Sequence, residues 1–169
     1  AYTHALSVLL VEQAEGLVNI WEEGDSAFID ELSGAGKTGT VYTSAQEALN
    51  SVTDAMFYAE KQTKDMKLAT PIGISACEAD TCPEDLESLY ANHSKENVIA
   101  NVRAFQLLFL GAAPGTDAPG FDDLLKGVGQ EGMATDLADK LANAITVLEG
   151  IEGSFAEALA SNPDSVEDG

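Results

Sequence analysis

Apolar residues recur at the spacing of three and four that belongs to helices in four long stretches of this chain, and strand-like alternation is nearly absent. Such a chain closes its core by laying helices side by side, each hiding one stripe and exposing the opposite face. The first stretch spans residues 2–23, with Leu6, Leu10, Leu17, Ile20 and Trp21 as the stripe expected to be buried, and Gly24 and Asp25 close it. A loose connection through Gly34, Gly36 and Gly39 follows, with a short helical turn around Phe28, Ile29 and Leu32. The second helix opens at Ser44, where Ser44-Ala45-Gln46-Glu47 reads as a capping box: the hydroxyl accepts from the third helical amide and Glu47 reaches back to the cap's own amide. Its stripe is Leu49, Val52, Met56, Ala59, Thr63 and Met66, and Pro71 stops it. Residues 71–93 are irregular apart from a short helix after Pro83. The third helix, capped by Ser94, runs to Leu110 with Val98, Val102, Phe105 and Phe109 inward, and Gly111 supplies its left-handed end. A Gly/Pro/Asp loop and a short helix over Phe121 to Lys126 lead to the fourth, from Met133 to Ser161, with Leu137, Leu141, Ile145, Leu148, Phe155 and Leu159 inward. Asn162-Pro163 ends it.

The expected fold is all-α, a four-helix bundle of the up-down type with long, partly ordered connections. The 169 residues are enough for one core, which predicts a single helical-bundle domain over 1–162 and a frayed acidic tail over 163–169. Connections longer than a minimal bundle needs tend to carry function or to meet another domain. No apolar run reaches bilayer length; the longest, Leu107 to Ala113, is interrupted by Gly111. No transmembrane segment is therefore expected, and any export signal or lipid anchor is expected to have been removed or to lie further upstream.

Charge removes two classes of partner. Eight basic residues against 29 acidic ones give a net charge of −21, which repels nucleic acid and anionic lipid alike. The acidic surface reads first as a solubility or salt-adaptation device, and second as a field that concentrates cations.

Few residues carry recognisable chemistry. Cys77 and Cys82 read as a local disulfide stapling the loop before Pro83, because a zinc site needs further soft ligands and a redox pair has two intervening residues. Such a bond belongs to an oxidising compartment. Ser33-Gly34-Ala35-Gly36-Lys37-Thr38 imitates a phosphate loop, but Glu31 stands where its first glycine is needed and no strand leads in, so it reads as surface loop. His4 lies alone on the first helix, and His93 precedes Ser94 as a loop residue that helps start helix three. No di-iron Glu-x-x-His pair, no zinc-protease motif and no nucleophile–base–acid set can be assembled.

Three segments carry a resemblance: Leu68-Ala69-Thr70-Pro71-Ile72-Gly73-Ile74, Cys82-Pro83-Glu84-Asp85-Leu86-Glu87-Ser88, and Asn92-His93-Ser94-Lys95-Glu96-Asn97 continuing to Val102. In this order they resemble the second half of imelysin-family proteins, where a helix ends at a Pro-Gly turn and a Glu-Ser pair precedes a Ser-capped helix with an internal Asn. Gly111, Gly115, Gly120 and Leu124-Leu125 stand where that family has its Gly-rich loop. The opening residues 2–21 are similar to the helix that begins its second domain.

The resemblance implies a helical protein of two bundle-like halves in the bacterial envelope, periplasmic or anchored to the outer membrane as a lipoprotein, and associated with iron uptake. It also brings a peptidase label and a Gly-x-His-x-x-Glu motif of the first half. Tyr2-Thr3-His4-Ala5-Leu6-Ser7 lacks both the Gly and the Glu. The expected role is thus non-catalytic: iron acquisition, or binding of iron or another ligand, in a cleft shared with the N-terminal half. Glu87, Ser88, His93, Ser94, Asn97 and Asn101 would complete that cleft near the start of helix three. Iron or another divalent metal is not expected on this chain alone. The partners implied are the N-terminal half or a second copy, and iron-uptake components. A metal-dependent peptidase and a purely structural envelope domain are the alternatives.

Overall fold

Helix formation is a local matter of backbone bonds and propensity, whereas burial needs a neighbour, and the two part company at the first helix. The computed structural model describes residues 2–22, 27–113, 115–116, 118–161 and 166. Helix α1, Tyr2–Glu22, forms as expected, yet none of its residues is buried. Leu10, Leu17 and Ile20 are more than half exposed, so the expected inward stripe is corrected. The chain divides into two compact units, Ala1–Ala55 and Met56–Gly169. Within the first, α1 is met by the six-residue α2, Phe28–Ser33, too short to cover a helix of 21 residues. Trp21 and Phe28 pack edge to face at 4.9 Å, and Phe28 meets Tyr42 at 6.4 Å. Gly24 and Asp25 lie outside the described residues, as do Asn162, Pro163, and all of the acidic tail but Val166.

The segment that imitates a phosphate loop is a surface turn, closed by Gly36 N–H donating to Tyr42 O at 2.9 Å and Val41 N–H donating to Glu31 Oε2 at 2.7 Å. Helix α3, Ala45–Met56, starts where the capping box put it: Glu47 N–H donates to Ser44 Oγ at 3.2 Å. The reciprocal bond differs. Glu47 Oε2 takes the amide and hydroxyl of Thr43, both at 2.7 Å, rather than the amide of Ser44.

The second unit departs from one long rod immediately. Residues Ala59–Ala69 form a π-helix of 11 residues, its turns closed by bonds such as Thr70 N–H to Asp65 O at 3.0 Å. A turn one residue wider than the α-turn shifts which side chains face inward. Thr63 is buried, as its place on the stripe requires, but Leu68 takes over the contact with the core while Met66, expected inward, is exposed. After the turn at Pro71 come the 3₁₀ turns Pro83–Asp85 and Leu89–Ala91.

Helix α4, Ser94–Leu110, ends at Gly111 in the left-handed region (φ 70°), as expected. At its other end His93 occupies the cap position and Ser94 lies within the first turn, because the Ser94 hydroxyl is turned back to the preceding loop. A Cβ on Gly120 would stand 2.4 Å from the Leu110 carbonyl carbon, so the returning loop crosses the end of α4 only because no side chain intervenes. Helix α5, Phe121–Gly127, follows as read from sequence.

The expected fourth rod is two helices, α6 (Glu131–Gly150) and α7 (Phe155–Ser161). Gly153 at φ 70° makes the break, and Ser154 restarts the chain with a complete capping box: Glu157 N–H to Ser154 Oγ at 3.3 Å, Ser154 N–H to Glu157 Oε2 at 2.8 Å. The bend drives Ile151, Phe155, Ala158 and Leu159 into one cluster with Leu148, Val98, Ile99, Leu86 and Val166. Leu86 belongs to a connection, so the loops here supply core as well as surface. The described residues hold seven α-helices and no strand, so the chain is all-α as expected.

Candidate functional site

Three serial facts gather the site. The π-helix carries Lys67 toward α4; the two 3₁₀ turns hold Glu87 and Ser88 between them; and Ser94, Asn97 and Asn101 recur at spacings of three and four along one face of α4. Asn92, in the left-handed region at φ 50°, reverses the chain into that helix, a conformation Asn tolerates better than most residues.

Five of the six residues anticipated from sequence are joined by hydrogen bonds. Asn97 Nδ2 donates to Glu87 Oε2 at 3.2 Å and to Ser88 Oγ at 3.0 Å. Ser88 N–H donates to Ser94 Oγ at 3.2 Å. Asn101 Oδ1 accepts from Lys67 Nζ at 2.8 Å, and the same ammonium pairs with Glu87 Oε1 at 3.1 Å.

The sixth does not join. The His93 ring is exposed and faces Glu96, Nδ1 to Oε2 at 3.6 Å. Its main chain does serve the site, since its N–H donates to Ser88 O and its carbonyl accepts the Asn97 amide.

Lys67 was not read from the sequence, and it is the hub. Its side chain is only 13% exposed, and it also lies over the Tyr58 ring, 5.6 Å from the centroid. Burial by itself would lower its pKa, but the Glu87 carboxylate and the Tyr58 side chain outweigh burial and raise it above the usual lysine value. The ammonium is thus fixed as a cation. A signal existed: Lys67 is one of few basic residues in a very acidic chain and sits between Met66 and Leu68 on an amphipathic stretch.

This chemistry does not suit a bare metal ion. Lys67 and Asn97 already hold the two oxygens of Glu87, and His93 points elsewhere. Among the described residues no group of three His, Cys, Asp or Glu side chains is placed to hold a metal. What remains available is the remaining bonding capacity of Ser88 Oγ, Asn97 and Asn101 beside a neutralised ion pair, a surface for neutral or oxygen-rich groups.

Cys77 and Cys82 are disulfide-bonded as the spacing predicts, with Cα atoms 6.0 Å apart. Cys82 N–H donates to Pro71 O at 2.8 Å, which ties the stapled loop to the end of the π-helix.

The segments that meet here, 68–74, 82–88 and 92–102, are the ones that carry the family resemblance. The family model described as imelysin, under a peptidase label, matches residues 1–168. The chain belongs to the imelysin family. No curated protein and no solved structure matches it. In this imelysin chain the family segments are brought together by Lys67, through Glu87 of the second and Asn101 of the third. No helix among the described residues is long and apolar enough to cross a membrane.

Proposed function

We propose that this imelysin chain is a non-catalytic ligand-binding domain of the bacterial envelope that takes part in iron acquisition. The ligand it takes is an oxygen-rich iron complex rather than the bare ion. The observation that carries the reading is the cluster around Lys67. A mostly buried cation neutralises Glu87, and the hydroxyl and amide groups of Ser88, Asn97 and Asn101 stand beside the pair. Such a surface recognises the carboxylate and hydroxyl oxygens of an organic iron chelate by hydrogen bonds, while the engaged Glu87 leaves little for direct coordination. The Cys77–Cys82 bond supports an oxidising compartment, the periplasm or the outer-membrane surface. The cleft is shared with a further half of the protein, whose His and Glu motif would supply what these residues lack.

Titration of the purified chain with ferric citrate, alongside ferrous and zinc salts, tests the proposal. Saturable ferric citrate binding is expected, weakened at least tenfold by Ser88→Ala or Asn101→Ala and unchanged by His93→Ala. Stoichiometric binding of the bare ions, or no binding of the chelate even with the complementing half added, overturns it. Chelator-sensitive cleavage of casein would install the peptidase reading instead.

A further inference from the structure

Helix α1 leaves its apolar side without cover: none of its residues is buried, and seven large apolar side chains on one side of it stand 40–78% exposed. At on the order of 100 Å² apiece, as half-exposed leucine or tryptophan side chains present, they offer about 700–900 Å². That exceeds the few hundred Å² that monomers commonly leave in one patch and matches the roughly 800 Å² per partner of a stable dimer. The pattern is that of a seam. Thr3, Leu6, Leu10, Gln13, Leu17 and Ile20 recur at alternating spacings of three and four, the 3.5-residue repeat with which two helices coil about each other. The acids of α1, Glu12, Glu15 and Glu22, all lie on the opposite side, and α1 has no Lys or Arg, so the seam neither repels a like helix nor recruits a basic one. An anionic membrane surface is no better suited, because a helix that lies on one carries basic residues on its polar face.

We infer that α1 pairs with α1 of a second copy of this chain, parallel and in register. Two positions of the helix are self-complementary in that arrangement. An antiparallel seam sets Gln13 against Leu10 or Leu17 and leaves its amide unpaired; a parallel one sets it against Gln13 of the second copy, and two carboxamides satisfy each other's donor and acceptor. A single polar layer of this kind fixes register and the number of strands. Gly16 weakens the middle of an α-helix, yet a Cβ there would meet nothing within 4 Å, so the fold of the chain does not require it. In a parallel pair the residue flanking the seam lies beside the one five positions further along the other helix. That brings Trp21 of the second copy over Gly16, where the missing side chain leaves room for an indole already held at one edge by Phe28 at 4.9 Å. The pairing is independent of the Lys67 cluster and does not rest on the proposed function.

Sedimentation equilibrium of the whole chain is the test. A dimer is expected at about 100 μM that dissociates on dilution. Added salt should tighten it, because each copy carries a net charge of −21. Leu10→Asp, at a position 71% exposed, should weaken the dimer about tenfold or more and leave the circular dichroism of the chain unchanged. Gly16→Leu should also weaken it about tenfold while raising the melting midpoint of the monomer, opposite signs that a glycine needed only by the monomer does not give. Both native cysteines are held in the Cys77–Cys82 bond, so thiols placed in α1 report alone. Leu6→Cys and Ile20→Cys should each give dimers linked through the new thiol in oxidised glutathione, which an antiparallel pair cannot do, and Glu15→Cys on the outer side should not. A monomer at every concentration, a dimer untouched by Leu10→Asp or Gly16→Leu, a dimer loosened by salt, or linkage through Glu15→Cys in preference to Leu6→Cys overturns the inference.

Discussion

Replacing Lys67 by Met keeps the length of the side chain and removes the one charge on which the site converges. The loss can be worked from its partners. A hydrogen bond to a charged group contributes roughly 1.5–3 kcal/mol when both partners are withdrawn from water. Lys67 is withdrawn, but Glu87 remains 41% exposed and can recover water, so the ion-pair share falls toward the 1 kcal/mol or less of exposed pairs. Together with the lost donor to Asn101, the expected destabilisation is about 2–3 kcal/mol. For a domain of this size that lowers the melting midpoint by about 5–9 °C. Glu87→Gln alone should cost about 1 kcal/mol, and the double variant should fall short of the sum by about 1 kcal/mol, the coupling of the pair.

The pH dependence fixes the sign. A lysine whose folded pKa is raised lends stability that is complete below the unfolded value near 10.5 and is lost as pH climbs through the higher folded value. Urea denaturation of the four proteins at about pH 8 and about pH 11.5 reads both effects. The native chain should lose its advantage over Lys67→Met at the higher pH. An unchanged midpoint in Lys67→Met, or a difference that grows with alkalinity, would refute the hub role.

Thr63 Oγ1 is buried without a hydrogen-bond partner among the described residues, so Thr63→Val should be neutral or stabilising by up to about 1 kcal/mol in the same urea assay. Cys77→Ser opens a bond that spans five positions and should cost about 2 kcal/mol by the loop-entropy relation; a thermal scan with and without reductant checks it, and the variant should be insensitive to the reductant. Glu157 is held below the usual carboxylate pKa by the amide and hydroxyl of Ser154. The stability this lends is present above the unfolded value of 4.5 and lost as pH falls through the lowered folded value, so Glu157→Gln should flatten the acid limb of the unfolding curve followed by circular dichroism.

How much of this was legible differs from element to element. The start of α3 was readable because Ser44 and Glu47 act on amides within one turn of themselves. The disulfide was readable because two cysteines in one short loop leave little choice of partner. The Ser154–Glu157 box is equally local but hidden, because the apolar stripe continues at helical spacing across Gly150 and Gly153 and disguises the bend. The site was half legible. Ser88, Ser94, Asn97 and Asn101 stood out as polar groups near a helix start, whereas Lys67 lies 20 positions before Glu87 and 34 before Asn101 and gave no pairing signal.

The sequence by itself determined that this chain is helical, where most helices start, and which loop is stapled. Those outcomes depend on hydrogen bonds and spacings within a few residues, and any fold the chain adopts must satisfy them. Only the tertiary structure decided which stripes are covered, that 59–69 winds as a π-helix, that Leu86 leaves its loop for the core, and that the His93 ring turns away while Lys67 turns in. Core burial and the Lys67–Glu87 pair join groups far apart along the chain, and their free energy exists only once the elements have met.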